Sequence, residues 1–140
     1  MEQNNTITTK SLEEIRVKQQ RQLHDKKRAK RDYAVQYTRK EFAPYVADED
    51  LERLCRYVEL YADQLLPTNI QPIRVKTLTT LDLYHFGWNI WKYLNVSNQQ
   101  DIAIFLKNIF AHNLKDVEPD SIKSHLKDEP KKGVILVWEG

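Results

Sequence analysis

The sequence predicts a mainly α-helical protein: a small helical bundle with a long basic N-terminal helix and a short C-terminal β element, an order that a helix-turn-helix-like domain also produces. Three observations carry this. Apolar residues recur at the 3.6-residue spacing of amphipathic helices over residues 48–66, 80–94 and 98–111. The chain has three glycines and five prolines among 140 residues, so structural breaks are few. Residues 12–43 contain neither, and are rich in Gln, Lys, Arg, Glu and Ala, all good helix formers.

Residues 1–10 read as a loose polar tail. Ser11 and Glu14 have capping-box spacing, which predicts a helix from Leu12 to about Ala43. At 1.5 Å per residue that helix is about 45 Å long, more than a body this small covers. Leu12, Ile15 and Leu23 give it only a thin apolar stripe, whereas Ala34, Val35, Tyr37 and Phe42 are dense. The expected helix is docked at its C-terminal end and free, or paired with another chain, at its N-terminal end.

Pro44 marks a break, and Asp48 is placed to cap a second helix to about Leu66. Leu51, Leu54, Cys55, Val58, Ala62 and Leu65 form its apolar face. Pro67, Asn69 and Pro72 make a linker, and Ile73–Val75 is a short β-like patch. Thr79 or Thr80 caps a third helix to about Leu94, the most apolar part of the chain and the expected centre of the core. Gly87 sits inside it at a cost of about 1 kcal/mol against Ala, which points to close packing or a kink. Ser97 and Gln100 repeat the capping-box spacing before a fourth helix to about Ala111. Pro119 opens a short fifth helix to about Leu126. Val134–Trp138 reads as a terminal strand, with residues 73–75 or a second subunit as its partner.

The length suits one domain, divided into residues 1–43 (polar tail and long basic helix) and 44–140 (a compact helical domain with the short terminal strand). The single cysteine, Cys55, leaves no intrachain disulfide and no cysteine-rich zinc site, and reads as a buried thiol. MEQNNTITTK has no apolar core of a signal peptide, and no stretch of 18 apolar residues exists, so a cytoplasmic location with no membrane partner is expected.

The net charge of +2 conceals an asymmetry. Residues 1–43 carry 11 Lys and Arg against 6 Asp and Glu, and the remainder carries 11 against 14. Arg16, Lys18, Arg21, Lys26, Lys27, Arg28, Lys30 and Arg31 place eight cations within residues 16–31, opposed there only by Asp25. Such a helix can lie along a duplex and contact phosphates, which gives affinity without sequence preference. It could equally hold an acidic protein surface or simply be solvated. Heptad spacing is absent, so it is not a leucine zipper. It also lacks the broad apolar face of a membrane-surface helix.

The pair of helices over 80–94 and 98–111, followed by a short helix and a strand, fits a helix-turn-helix domain with a rudimentary wing. Lys123, Lys127, Lys131 and Lys132 would then add DNA contacts, with His125 beside them. Asp116, Glu118, Asp120, Asp128 and Glu129 oppose that unless they face away, and a packing or oligomerisation module explains the same pattern. Trp88 and Trp91 could stack on bases, but their place on the densest apolar helix favours the core.

Enzyme signatures are missing. His24, His85, His112 and His125 are scattered with no HExxH pair, and there is no glycine-rich phosphate loop. His85 and Asp82 can pair as i,i+3 neighbours, in a structural role. No cofactor, metal or catalytic residue is expected.

The stretch Leu83-Tyr-His-Phe-Gly-Trp-Asn-Ile-Trp-Lys-Tyr-Leu94, then Asp101-Ile-Ala-Ile-Phe-Leu-Lys-Asn-Ile-Phe110, then the helix near Ser121–Leu126, resembles the C-terminal part of the excision-regulator family of Bacteroides conjugative elements. The resemblance covers residues 80–127. It implies a helical, cytoplasmic, DNA-binding regulator of mobile-element genes. This chain departs from the family's pattern in lacking a basic trailing helix and in ending VILVWEG. The sequence therefore favours a DNA-associated accessory or regulatory protein binding double-stranded DNA. The alternative is an interaction module without nucleic acid, dimeric through the first helix or the terminal strand.

Overall fold

The computed structural model describes residues 2–128 and 134–138, with side chains from Ser11 onward. Five helices follow in order: α1 (Glu2–Phe42), α2 (Asp48–Ala62), α3 (Thr80–Leu94), α4 (Gln99–Ile109) and α5 (Pro119–His125). The chain divides into two compact units, residues 1–30 and 31–140, and α1 contributes to both.

The first unit is helix. α1 begins at Glu2 and runs through Ser11 without a break, so residues 2–10 are not a loose tail and Ser11 is not a cap. The physical reason is that nothing in this stretch, which lacks Gly and Pro, interrupts helical hydrogen bonding. Residues 12–30 are exposed throughout.

The second unit holds the core. Burial on α1 starts at Ala34, because the apolar stripe starts there. At about 100° per residue, Ala34, Thr38 and Phe42 share a face, on which Arg31 falls one turn before Ala34. α4 packs against α3 and α5, and α2 packs against α4. Phe42, Phe86 and Phe110 meet at the centre, with ring centroids 4.7, 5.7 and 6.2 Å apart. Each is fully buried, and burial of such a ring contributes roughly 1.5–3 kcal/mol. Gly87 is explained by close packing: a Cβ there would collide with Leu106 Cδ1 on α4.

The helix ends follow local chemistry. Ala47, not Asp48, is the N-cap of α2, and Asp48, Glu49 and Asp50 instead fill its first turn, where the helix dipole favours acids. α2 stops at Ala62, short of Leu66, and Gln64 takes a left-handed φ of 59°. Thr79 and Asp82 form a complete capping box on α3. Asn98 caps α4 by accepting from Asp101 N, so Ser97 is not the cap. The Ser97 hydroxyl instead meets Tyr61 Oη at 2.6 Å, and its carbonyl accepts from Trp91 Nε1 at 2.8 Å.

The expected β element does not form: no strand occurs among the described residues. Ile73–Val75 is irregular, and Ile73 is buried with its N–H donating to Ile109 O at 2.7 Å. Val134–Trp138 pairs with no strand. Side chains of α3 satisfy its main-chain groups instead, and they do the work a partner strand would have done. The fold is a mainly α-helical bundle, and the described residues form no wing of a winged helix-turn-helix domain.

Candidate nucleic-acid interface

The eight cations of residues 16–31 have two different settings. Arg16, Lys18, Arg21, Lys26, Lys27 and Arg28 are exposed, and none makes a salt bridge among the described residues. Lys30 is exposed as well. Arg31 is half-buried and engaged: Nη1 lies 3.1 Å from Asp63 Oδ2, and Nε lies 3.8 Å from Asp32 Oδ1. Arg31 thus helps fasten α1 to the end of α2, a role that a charge count does not reveal.

The six exposed cations are spread around most of the helix circumference. A straight helix can turn about three of them to one duplex at a time. Leu12, Ile15, Val17 and Leu23 lie between them, each about half exposed. The segment is therefore cationic with a narrow apolar component.

The remaining predicted contacts are less coherent. Lys123 and Lys127 are exposed. The Lys127 ammonium lies 5.3 Å from the centroid of the Trp88 ring, and Lys92 lies 6.0 Å from the same ring. Trp88 packs on Trp91 with centroids 5.1 Å apart, both half-buried, so this pair belongs to the edge of the core. His125 Nδ1 sits 2.5 Å from Asp128 Oδ2. Lys131 and Lys132 lie outside the described residues.

The most specific polar construction lies elsewhere. Asp82, His85 and Asn89 occupy one face of α3 at i, i+3 and i+7, and all are at most 1% exposed. Asp82 Oδ1 accepts from Val134 N at 2.9 Å and Ile135 N at 3.0 Å, while Oδ2 accepts from Thr79 N. His85 Nδ1 faces Ile135 O at 2.9 Å, and Nε2 faces Asp128 O at 3.0 Å. Asn89 donates to Leu136 O and Tyr37 Oη, and accepts from Trp138 N at 2.8 Å. Burial pushes the Tyr37 hydroxyl well above the ordinary tyrosine range. Three polar residues inside the most apolar helix were the available signal, and only their partners were hidden.

A cleft of about 480 Å³ lies between α2, α4 and the loop after α2, lined by Tyr61, Leu65, Leu66, Ile70, Ile104 and Phe105. Leu66 is 93% exposed there. Cys55 is buried, with Sγ 4.0 Å from Val35 O, and burial raises its thiol pKa. Among the described residues no cluster of His, Cys, Asp and Glu could hold a metal ion, and no helix is long and apolar enough to cross a membrane.

Comparison with protein-family models, with curated proteins and with solved structures finds no match to this chain.

Proposed function

We propose that this is a DNA-associated accessory or regulatory protein that holds duplex DNA by its phosphates, with α1 as the contact. The observation that carries the reading is the set of six exposed cations at Arg16, Lys18, Arg21, Lys26, Lys27 and Arg28 on an unbroken helix, without salt-bridge partners among the described residues. Cations without a salt-bridge partner can neutralise duplex phosphates, and release of the counterions condensed on those phosphates drives binding. The contact is blind to sequence, which suits an accessory role. The resemblance of residues 80–127 to excision regulators supports a place in a mobile genetic element, where integrase, relaxase or phage genes are the expected neighbours.

The test is a salt titration with random duplex DNA. About three phosphate contacts give a slope of log affinity against log salt of about −3. Replacing all six cations with Gln should weaken binding by about a hundredfold or more at low salt. Unchanged binding in that variant, or no binding by the wild type at low salt, overturns the reading.

A second reading has its own observation. Leu12, Ile15, Val17 and Leu23 leave apolar surface on α1 that a second copy could cover, making the protein a self-association module. It expects a concentration-dependent oligomer in light scattering without nucleic acid. A strict monomer at all concentrations rules it out.

A further inference from the structure

Asp82, His85 and Asn89 direct five hydrogen bonds at the segment Val134–Trp138, and every one goes to main-chain atoms. The segment's side chains are read at only two points. Ile135 is 1% exposed, sunk into the core. Trp138 lies among Tyr37, Tyr33 and Tyr93, with centroids 4.4, 6.3 and 6.0 Å away. Val134 and Leu136 remain half exposed. Main-chain recognition plus two side-chain pockets is the specification of a peptide-binding groove.

We infer that α3 and Tyr37 form a groove for a short peptide with an aliphatic residue and, three positions later, a tryptophan. The chain's own C-terminal segment is the resident ligand, and the same segment of a second copy can replace it. The second copy is the occupant because it carries the one sequence already seen to fit. The groove is exchanged between ligands and not left vacant, because emptying it leaves Asp82 Oδ1, His85 Nδ1 and Asn89 Oδ1, all buried, without their main-chain partners. The exchange is slow to appear in dilute solution, because the tethered segment has a high effective concentration. This inference is independent of DNA binding.

The test uses the full-length chain carrying Ile135→Ala and Trp138→Ala, which removes both side-chain anchors and so weakens the resident segment's hold on the groove, and a fluorescent peptide of residues 133–140. Anisotropy should show saturable binding at least about tenfold tighter than to the wild type, where the tethered segment competes. Adding Asn89→Leu to the double variant should reduce that binding by about tenfold or more. No binding by a double variant of wild-type helix content overturns the inference, as does equal binding of a scrambled peptide. Hydrogen exchange on the wild-type chain decides the matter if the double variant loses helix. The amides of Val134, Ile135 and Trp138 should exchange about tenfold or more faster than those of Leu83, Phe86 and Ile90. Equal rates would mean that the segment leaves only on global unfolding, and overturn it.

Discussion

Residues 12–30 and residues 31–140 use the same residue types to opposite ends. In the first stretch the cations from Arg16 to Arg28 have no salt-bridge partner among the described residues, and the apolar side chains of Leu12, Ile15, Val17 and Leu23 face solvent. In the second, several charges are answered within the chain. Arg31 meets Asp63, Arg39 meets Glu52, Arg53 meets Asp50, and the Lys107 ammonium donates to the carbonyls of Leu114 and Lys115. The Arg39 guanidinium holds the Glu52 carboxyl below its ordinary range. The difference teaches that a basic residue is informative about partners only after its own chain's acids have been assigned. By that criterion Arg28 is available to a phosphate and Arg31 is not.

The largest test of the contrast is the sixfold replacement in α1. It should abolish most DNA affinity and leave the thermal stability of residues 31–140 unchanged, as read from the main melting transition. A large fall in Tm would mean that those cations serve the fold. The converse change is Asp82→Ala. It removes the acceptor for Val134 N, Ile135 N and Thr79 N, and should cost about 3 kcal/mol in urea unfolding. A cost under about 1 kcal/mol would mean that water replaces the carboxylate and that the terminal segment is only loosely held.

Alkali offers a smaller test. Burial raises the pKa of Tyr61 from 10.0 to about 12, and Ser97 offsets part of that by hydrogen bonding. The folded state thus favours the neutral phenol. Its contribution is complete below pH 10.0, the unfolded value, and is lost as pH rises to about 12. Tyr37 shifts in the same direction. The expected loss for Tyr61 is about 2 kcal/mol across that window. Denaturant midpoints measured against pH check it, and Tyr61→Phe should flatten the decline.

How much of this was legible beforehand depends on where the determining interaction lies. α3 was readable because its cap, its apolar period and its Gly87 are all local, and the close approach inferred from Gly87 is met by Leu106. The boundaries of α1 and α2 were less readable. Cap-like residues such as Ser11 and Asp48 also occur inside helices, and only the hydrogen bonds distinguish the two. Val134–Trp138 has a strand's composition, but strand is defined by a partner. That partner turned out to be three side chains on a helix, 47 to 53 residues away in sequence for the bonds involved. For the candidate interface, the run of cations was plain in the sequence, whereas the capture of Arg31 by Asp63, 32 residues on, was not.

Gly87→Ala sharpens the same point at lower energy. The new methyl would press on a fully buried Leu106, at a cost of roughly 1–3 kcal/mol for overpacking, and helix propensity returns about 1 kcal/mol. A net loss of about 1 kcal/mol in urea unfolding is expected. A gain would show that α3 and α4 can move apart, and the second unit would then be less tightly determined than its burial implies.

The smallest effect sits at the junction of the two regions, where Arg28 and Arg31 are one helical turn apart. Arg31→Gln breaks an exposed pair with Asp63, and such pairs contribute about 0.5 kcal/mol. The loss should shrink as salt rises, because the pair is screened. Its effect on duplex affinity should stay below about twofold, since the guanidinium is already engaged. Arg28→Gln should do the reverse, leaving stability unchanged and weakening binding by several-fold in low salt. If both substitutions weaken DNA binding equally, Asp63 releases Arg31 on contact with phosphate. The division between answered and unanswered cations then holds only for the protein without DNA, and α1 gains a further phosphate ligand at the expense of its anchor to α2.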